Sequence, residues 1–176
     1  IYGATTVDMY WDEMRVLSFD GDDYVDLGTP SSLDIPETIT ISAWIRPTNV
    51  TGFHGIVGRH VGPSNCGGTL RTNYKNLEFL LTLDGTLYTL TTSTMPLEAG
   101  VWSFVVATYN GTHMMIYHNG VLQAQMSATG MIYTPVPHNW IGETYALGAQ
   151  PFYGEIAHVR IYNRSLTPEE IQWNYL

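Results

Sequence analysis

Turn signals recur along this chain about every eight to twelve residues, a spacing that accommodates short strands and almost nothing longer. Asp20-Gly21-Asp22-Asp23, Asp84-Gly85, Asn110-Gly111 and Asn119-Gly120 are the clearest. Between them the apolar residues alternate. In residues 37–46, Ile39, Ile41, Ala43 and Ile45 share one face, Trp44 points the other way, and Pro47 stops the run. Residues 16–19, 24–27, 55–59, 77–83, 86–92, 101–109, 114–118 and 140–142 read as further strands. Residues 60–73, rich in Gly, Ser and Thr, read as one long loop.

The C-terminal run is more specific. Ile156, His158, Arg160 and Tyr162 alternate with Ala157, Val159 and Ile161. A polar turn follows. Thr167 then stands as a helix N-cap, Pro168 at the first helical position and Glu170 at the third, the reciprocal pattern that satisfies free backbone N–H groups at a helix start. The expected fold is therefore all-β: an antiparallel two-sheet sandwich of jelly-roll type with one short C-terminal helical turn.

The 176 residues suit one domain with a substantial core. Lysine occurs once, at Lys75, so Ser, Thr, Asn, Gly and Tyr must cover most of the surface. Nine of the sixteen acids lie between Asp8 and Glu37, and the net charge of −9 leaves nothing to neutralise a run of phosphates. Nucleic acid is excluded as a partner on that ground. No stretch approaches the roughly 20 apolar residues of a membrane span, so membrane insertion is not expected. Cys66 is the single cysteine, which rules out an intrachain disulfide and leaves a free loop thiol or an intermolecular bridge. The start at Ile1 suggests a processed or trimmed N-terminus.

Five segments, in order, carry a family resemblance. They are Leu17-Ser18-Phe19-Asp20-Gly21-Asp22-Asp23-Tyr24-Val25, Thr38-Ile39-Thr40-Ile41-Ser42-Ala43-Trp44-Ile45-Arg46-Pro47, Gly100-Val101-Trp102-Ser103-Phe104-Val105-Val106-Ala107-Thr108-Tyr109, Met115-Ile116-Tyr117-His118-Asn119-Gly120, and the run from Gly154 to Ile171. Together they resemble the laminin-G-like, concanavalin A-like lectin-glucanase jelly roll. That resemblance covers residues 16–172. It divides the chain into an N-terminal strand or arm, residues 1–15, and a laminin-G-like domain, residues 16–176. The first segment reads as an edge strand of the same sandwich, or as an arm adding to a neighbour's sheet.

The resemblance implies binding or assembly outside the cell. It also implies a structural Ca²⁺ near Asp20, Asp22 and Asp23, whose oxygens suit a hard cation. The family completes that site with an Asp after the Ile of the last strand. Here that position is Ala157, and Glu155 is the nearest substitute. Catalysis is not expected: a retaining glucanase needs two carboxylates about 5 Å apart, which on a strand means acids at alternate positions, and no such run occurs. A glycan site would draw on His54, Arg59, His60, Tyr74, Trp140 and Tyr145, because aromatic faces stack on sugar C–H faces and planar polar groups bind hydroxyls. Trp140 is the first choice for an exposed aromatic contact. Asn49, Asn110 and Asn163 head N-glycosylation sequons in turns. The functional expectation is a non-catalytic extracellular adhesion module for a glycan or a surface protein. The alternative is a structural subunit of an extracellular filament, sheath or surface layer, self-assembled through strand-edge contacts that include the N-terminal segment.

Overall fold

The computed structural model describes residues 3, 5–8, 15–62, 64–93, 97–144 and 149–176. Among them run fourteen strands, one α-helix and a short 3-10 helix at Ser31–Leu33: β1 (Thr5–Asp8), β2 (Arg15–Asp20), β3 (Val25–Asp26), β4 (Ile39–Pro47), β5 (Phe53–Val61), β6 (Asn65–Cys66), β7 (Thr69–Asn73), β8 (Asn76–Leu83), β9 (Thr86–Thr91), β10 (Ser103–Tyr109), β11 (His113–His118), β12 (Val121–Ser127), β13 (His138–Ile141), β14 (Tyr153–Tyr162) and α1 (Pro168–Tyr175). The first sheet has the order β1-β2-β14-β4-β10-β11-β12. The second has β3-β13-β5-β7-β8-β9, with β6 beside β5. The strand pairs are antiparallel, as the turn chemistry requires. Asp84-Gly85 and Asn119-Gly120 both take positive φ at their two positions, which two-residue hairpins demand.

Alternation places the core. Ile39, Ile41, Ala43 and Ile45 on β4 are fully buried and meet Leu70, Leu77, Phe79 and Leu81 of the second sheet. Trp44, facing out, joins Phe104, Val106 and Tyr117 in a smaller cluster that α1 covers with Ile171 and Tyr175. The capping box forms as expected, with the Thr167 side chain on the Glu170 N–H and the Glu170 side chain on the Thr167 N–H. The helix runs to eight residues, two turns rather than one.

Two sequence expectations change. Residues 60–73 are not one loop: β5 continues to Val61, and β6 and β7 follow. Thr69, Leu70 and Thr72 are buried between β5 and β8, so neighbouring strands override a loop-like composition. Cys66 accordingly sits buried in β6, not on a loop, and is not placed for a bridge to another chain. At the N-terminus, Thr5–Asp8 pairs antiparallel with β2 of its own chain.

Arg59 closes one rim from inside. Its side chain is fully buried and donates from Nε to Asn139 Oδ1 (3.0 Å), from Nη1 to the Gly67 carbonyl (2.6 Å) and from Nη2 to the Leu33 carbonyl. Burial lowers its pKa to about 10, so it remains a cation at neutral pH. Arg59→Met keeps much of the volume but leaves two buried acceptors, Asn139 Oδ1 and the Gly67 carbonyl, and the half-buried Leu33 carbonyl without this partner, at about 1–3 kcal/mol for each buried one. Urea denaturation should show a loss of roughly 3 kcal/mol or more; a loss under about 1 kcal/mol would remove Arg59 from this role.

Candidate binding site

The opposite rim brings together the start of β5, the turn between β7 and β8, and residues 149–153. Arg71 on β7 stands directly across from Glu78 on β8, both pointing away from the core. Arg71 Nε donates to Glu78 Oε2 (2.6 Å), Nη2 pairs with the same carboxylate, and Nη1 donates to Gln150 Oε1 (3.0 Å). The other Glu78 oxygen accepts from Asn73 Nδ2 and Thr91 Oγ1. The guanidinium is thus held in place, 4.5 Å from the centroid of the Phe53 ring. Phe53 is 39% exposed and Tyr74 is 60% exposed. Their centroids lie 6.4 Å apart with ring planes at 63°. Tyr74 has φ of +54°, a region a bulky residue rarely adopts, and its N–H donates to the Gly52 carbonyl. Two exposed rings at an angle, beside a fixed planar cation, form an open corner able to take an apolar face and neighbouring hydroxyls together.

Of the residues expected to bind glycan, Tyr74 alone is placed on this corner; Phe53 was missed. Phe53 and Tyr74 are far apart in sequence, and pairing between β5 and β7, with the Tyr74–Gly52 hydrogen bond, brings them together. His54, the next residue, is buried, with Nδ1 2.8 Å from the Pro151 carbonyl and Nε2 2.8 Å from the Thr51 carbonyl. Arg59 is consumed by the interior contacts above. His60 is buried beside Cys66, with Nδ1 3.2 Å from Sγ. Trp140 is 6% exposed, not a surface contact. It lies on an interior strand between β3 and β5, packed by Tyr24 (5.6 Å) and His138 (4.7 Å). Tyr145 lies outside the described residues. At the Arg59 rim, a cavity of about 440 Å³ is lined by Pro30, Leu33, Pro135, Val136 and Pro137 among others, without an aromatic wall.

The acidic turn meets β14 and, through it, β5. Gly21 lies against the Tyr153 ring, whose edge meets His54 at 5.4 Å. One oxygen each from Asp20, Asp22 and Asp23 falls within 4.8 Å of the others. Asp23 Oδ2 accepts the Asp20 N–H at 2.9 Å. Hydrogen bonding from Asp22 and Asp23 holds Asp20 below the usual carboxylate range. The same bond, then the charges of Asp20 and Asp23, pushes Asp22 up, and burial pushes Asp23 up. This crowded set of hard oxygens fits Ca²⁺. Glu155 does not join it. Arg46, directly across on β4, takes both its oxygens at 2.9 and 2.6 Å. With Arg71–Glu78 and Arg164–Glu170, that makes three carboxylates paired with arginines among the described residues.

The sequons lie in turns. Asn49 Oδ1 accepts from the Thr51 N–H and hydroxyl, and Asn110 Oδ1 accepts from those of Thr112. Asn163 is exposed. Among the described residues no helix is long and apolar enough to cross a membrane.

A family model described as the concanavalin A-like lectin/glucanases superfamily matches residues 19–172. A comparison with curated proteins finds no match. Among solved structures, the binding domain of Paraclostridial Mosquitocidal Protein 1 is similar, with TM-score 0.78 and 18% identity. The match covers 98% of this chain but 45% of that one. The Ruminococcus gnavus IT-sialidase CBM40, bound to alpha2,3 sialyllactose, has TM-score 0.74 and 20% identity over 91% of this chain and 96% of that one. Domain 4 of AbnA, a GH43 extracellular arabinanase from Geobacillus stearothermophilus, in complex with arabinotriose, has TM-score 0.69 and 17% identity over 98% and 81%. At these identities the likeness is one of fold.

The His60–Cys66 pair is held uncharged. Burial, despite a bond to the Gly62 carbonyl, lowers the imidazole pKa from 6.5 to about 4, and burial raises the thiol to about 12. A depressed histidine contributes stability that is present above pH 6.5 and is lost as pH falls through about 4. The protein should lose about 3 kcal/mol across that window, and His60→Leu should flatten the slope in urea titrations at stepped pH. An unchanged slope in the variant would assign the acid sensitivity elsewhere.

Proposed function

The chain belongs to the concanavalin A-like lectin/glucanases superfamily, and from that premise we propose that it is a non-catalytic extracellular module that binds a glycan at the Phe53–Arg71–Tyr74 corner. The pair of exposed, angled rings beside an arginine fixed by Glu78 and Gln150 carries this reading. Sugar rings present an apolar C–H face to one aromatic wall and hydroxyls to the planar polar groups at its edge. Relatives of the same fold that carry sialyllactose and arabinotriose support the ligand class. The three sequons, and the extracellular enzyme that contains one such relative, support the setting outside the cell. On a cell surface the glycan would be presented by a glycoprotein or glycolipid, so adhesion follows from the same contact.

Asp20, Asp22 and Asp23 are the proposed holders of a structural Ca²⁺. The ion would relieve the repulsion among them and stiffen the turn that supports Tyr153 and His54. The alternative, a self-assembling subunit, draws support from edge strand β12, where Val121 and Leu122 are exposed.

A glycan array followed by calorimetry on the best binder tests the main reading. Phe53→Ala and Tyr74→Ala should each weaken affinity about tenfold, since an aromatic contact is worth on the order of 1 kcal/mol beyond its buried area. Unchanged affinity in both variants would sink this corner as the site. Open-ended growth in sedimentation, with no array signal, would favour assembly. After chelation, Ca²⁺ should raise the melting temperature of the wild type and not of Asp22→Asn; no rise in the wild type rejects the cation.

A further inference from the structure

A second cleft lies on the other side of the molecule, between the end of β14, residues 163–167 and α1. Its volume is about 230 Å³, and its lining is Tyr162, Arg164, Leu166, Glu170, Trp173 and Asn174. That is smaller than a drug-sized pocket and suits a single ring.

We propose that this cleft is a second, separate saccharide site, selective for an uncharged sugar ring stacked on Trp173. α1 is anchored from its inner face: Ile171 is buried, and Tyr175 stacks on Trp44 at 5.8 Å with planes 22° apart. Trp173, two residues from each, points outward at the helical period and is 81% exposed. An indole left in water on a rigid helix contributes little to the fold and is available as a platform. Beside it, Arg164 is held flat. Nη1 and Nη2 each donate to a Glu170 oxygen at 2.8 Å, and Glu170 is itself fixed by the Thr167 N–H at 2.9 Å. The remaining three N–H groups of Arg164 have no partner among the described residues. A fixed plane of free donors, an amide at Asn174 and a phenol at Tyr162 match vicinal hydroxyls.

Charge selects against acidic sugars. Glu170 balances Arg164, and exposed Glu169 adds negative charge nearby. The cleft lies on the outside of the first sheet, the Phe53 corner on the outside of the second, so the two sites face opposite ways and do not share residues.

The test uses the full chain with ¹⁵N-labelled tryptophan, following the five indole N–H signals. Trp173→Phe identifies the relevant signal by its disappearance, and this exposed change should leave the other four in place. The probes are lactose, maltose and cellobiose at millimolar concentration, with alpha2,3 sialyllactose as the acidic counterpart. At least one neutral disaccharide should move the Trp173 signal saturably, and the sialylated sugar should bind no better than lactose. Arg164→Lys keeps the charge but loses the fixed plane, and should weaken the titration roughly fivefold. The Phe53→Ala, Tyr74→Ala double variant should leave it unchanged. If no neutral disaccharide moves the signal, or if the double variant abolishes the shift, the second site is overturned. The corner on the other face is judged separately by its own variants.

Discussion

Everything in this molecule rests on one face of β4. Ile39, Ile41, Ala43 and Ile45 alternate without interruption and are sealed between the two sheets. Burying each isoleucine contributes about 1.5–3 kcal/mol, and together they fix the register of the strand, since a slip by one residue would turn all four outward. β4 is flanked by β14 and β10, so its register is passed to both neighbours. Through β14 it also sets where α1 begins. Leu166 N–H donates to Thr40 Oγ1, on the outer side of β4, just before the helix cap.

With the interior assigned to aliphatic side chains, the outer faces carry the chemistry. Each is treated differently. The outside of the first sheet is partly covered by α1, which buries Phe104 and Val106 and leaves Trp173 facing water. On the outside of the second sheet, Gly55 and Gly58 let the backbone at Glu143 and Thr144 rest directly on the strands; a Cβ at either glycine would strike it. Glu78 is buried there with Arg71, Asn73 and Gln150 half-buried around it, and these polar groups pair in the Arg71–Glu78–Asn73–Thr91–Gln150 network. The same pairing that satisfies burial also immobilises Arg71 beside Phe53. The geometry of that corner thereby follows from an obligation of folding.

Ion pairing also decides where several carboxylates are held. Glu78, Glu155 and Glu170 each have an arginine across a strand or a turn. Among the described residues the acidic turn at residues 20–23 has no such ion pair, and its carboxylates crowd each other instead.

Much of the architecture was legible in the residues. Alternation in residues 37–46 marked β4 and its buried face, Asp84-Gly85 and Asn119-Gly120 marked hairpins, and Thr167-Pro168-Glu169-Glu170 marked the capped helix, because each is a local rule obeyed by adjacent residues. β6 and β7 were hidden, since Gly, Ser and Thr pair as strands there only because β5 and β8 are already alongside. Trp140 shows the deeper reason. Its place in the alternation set it on the side of the sheet away from Ile141 and the main core, but not whether anything packed over it; Tyr24 and His138 did. Glu155 likewise met Arg46, and Phe53 met Tyr74, through registers between strands distant in sequence. Along strands of unbroken register the sequence by itself determined which side each side chain takes, for that depends on backbone geometry repeating every two residues; in β14 the positive φ of His158 shifts the register and turns Val159 and Ile161 onto the core with Ile156, against the alternation read from the sequence. Tertiary structure alone decided which outward side chains are covered, paired or left to solvent, for that depends on what the rest of the chain brings over them.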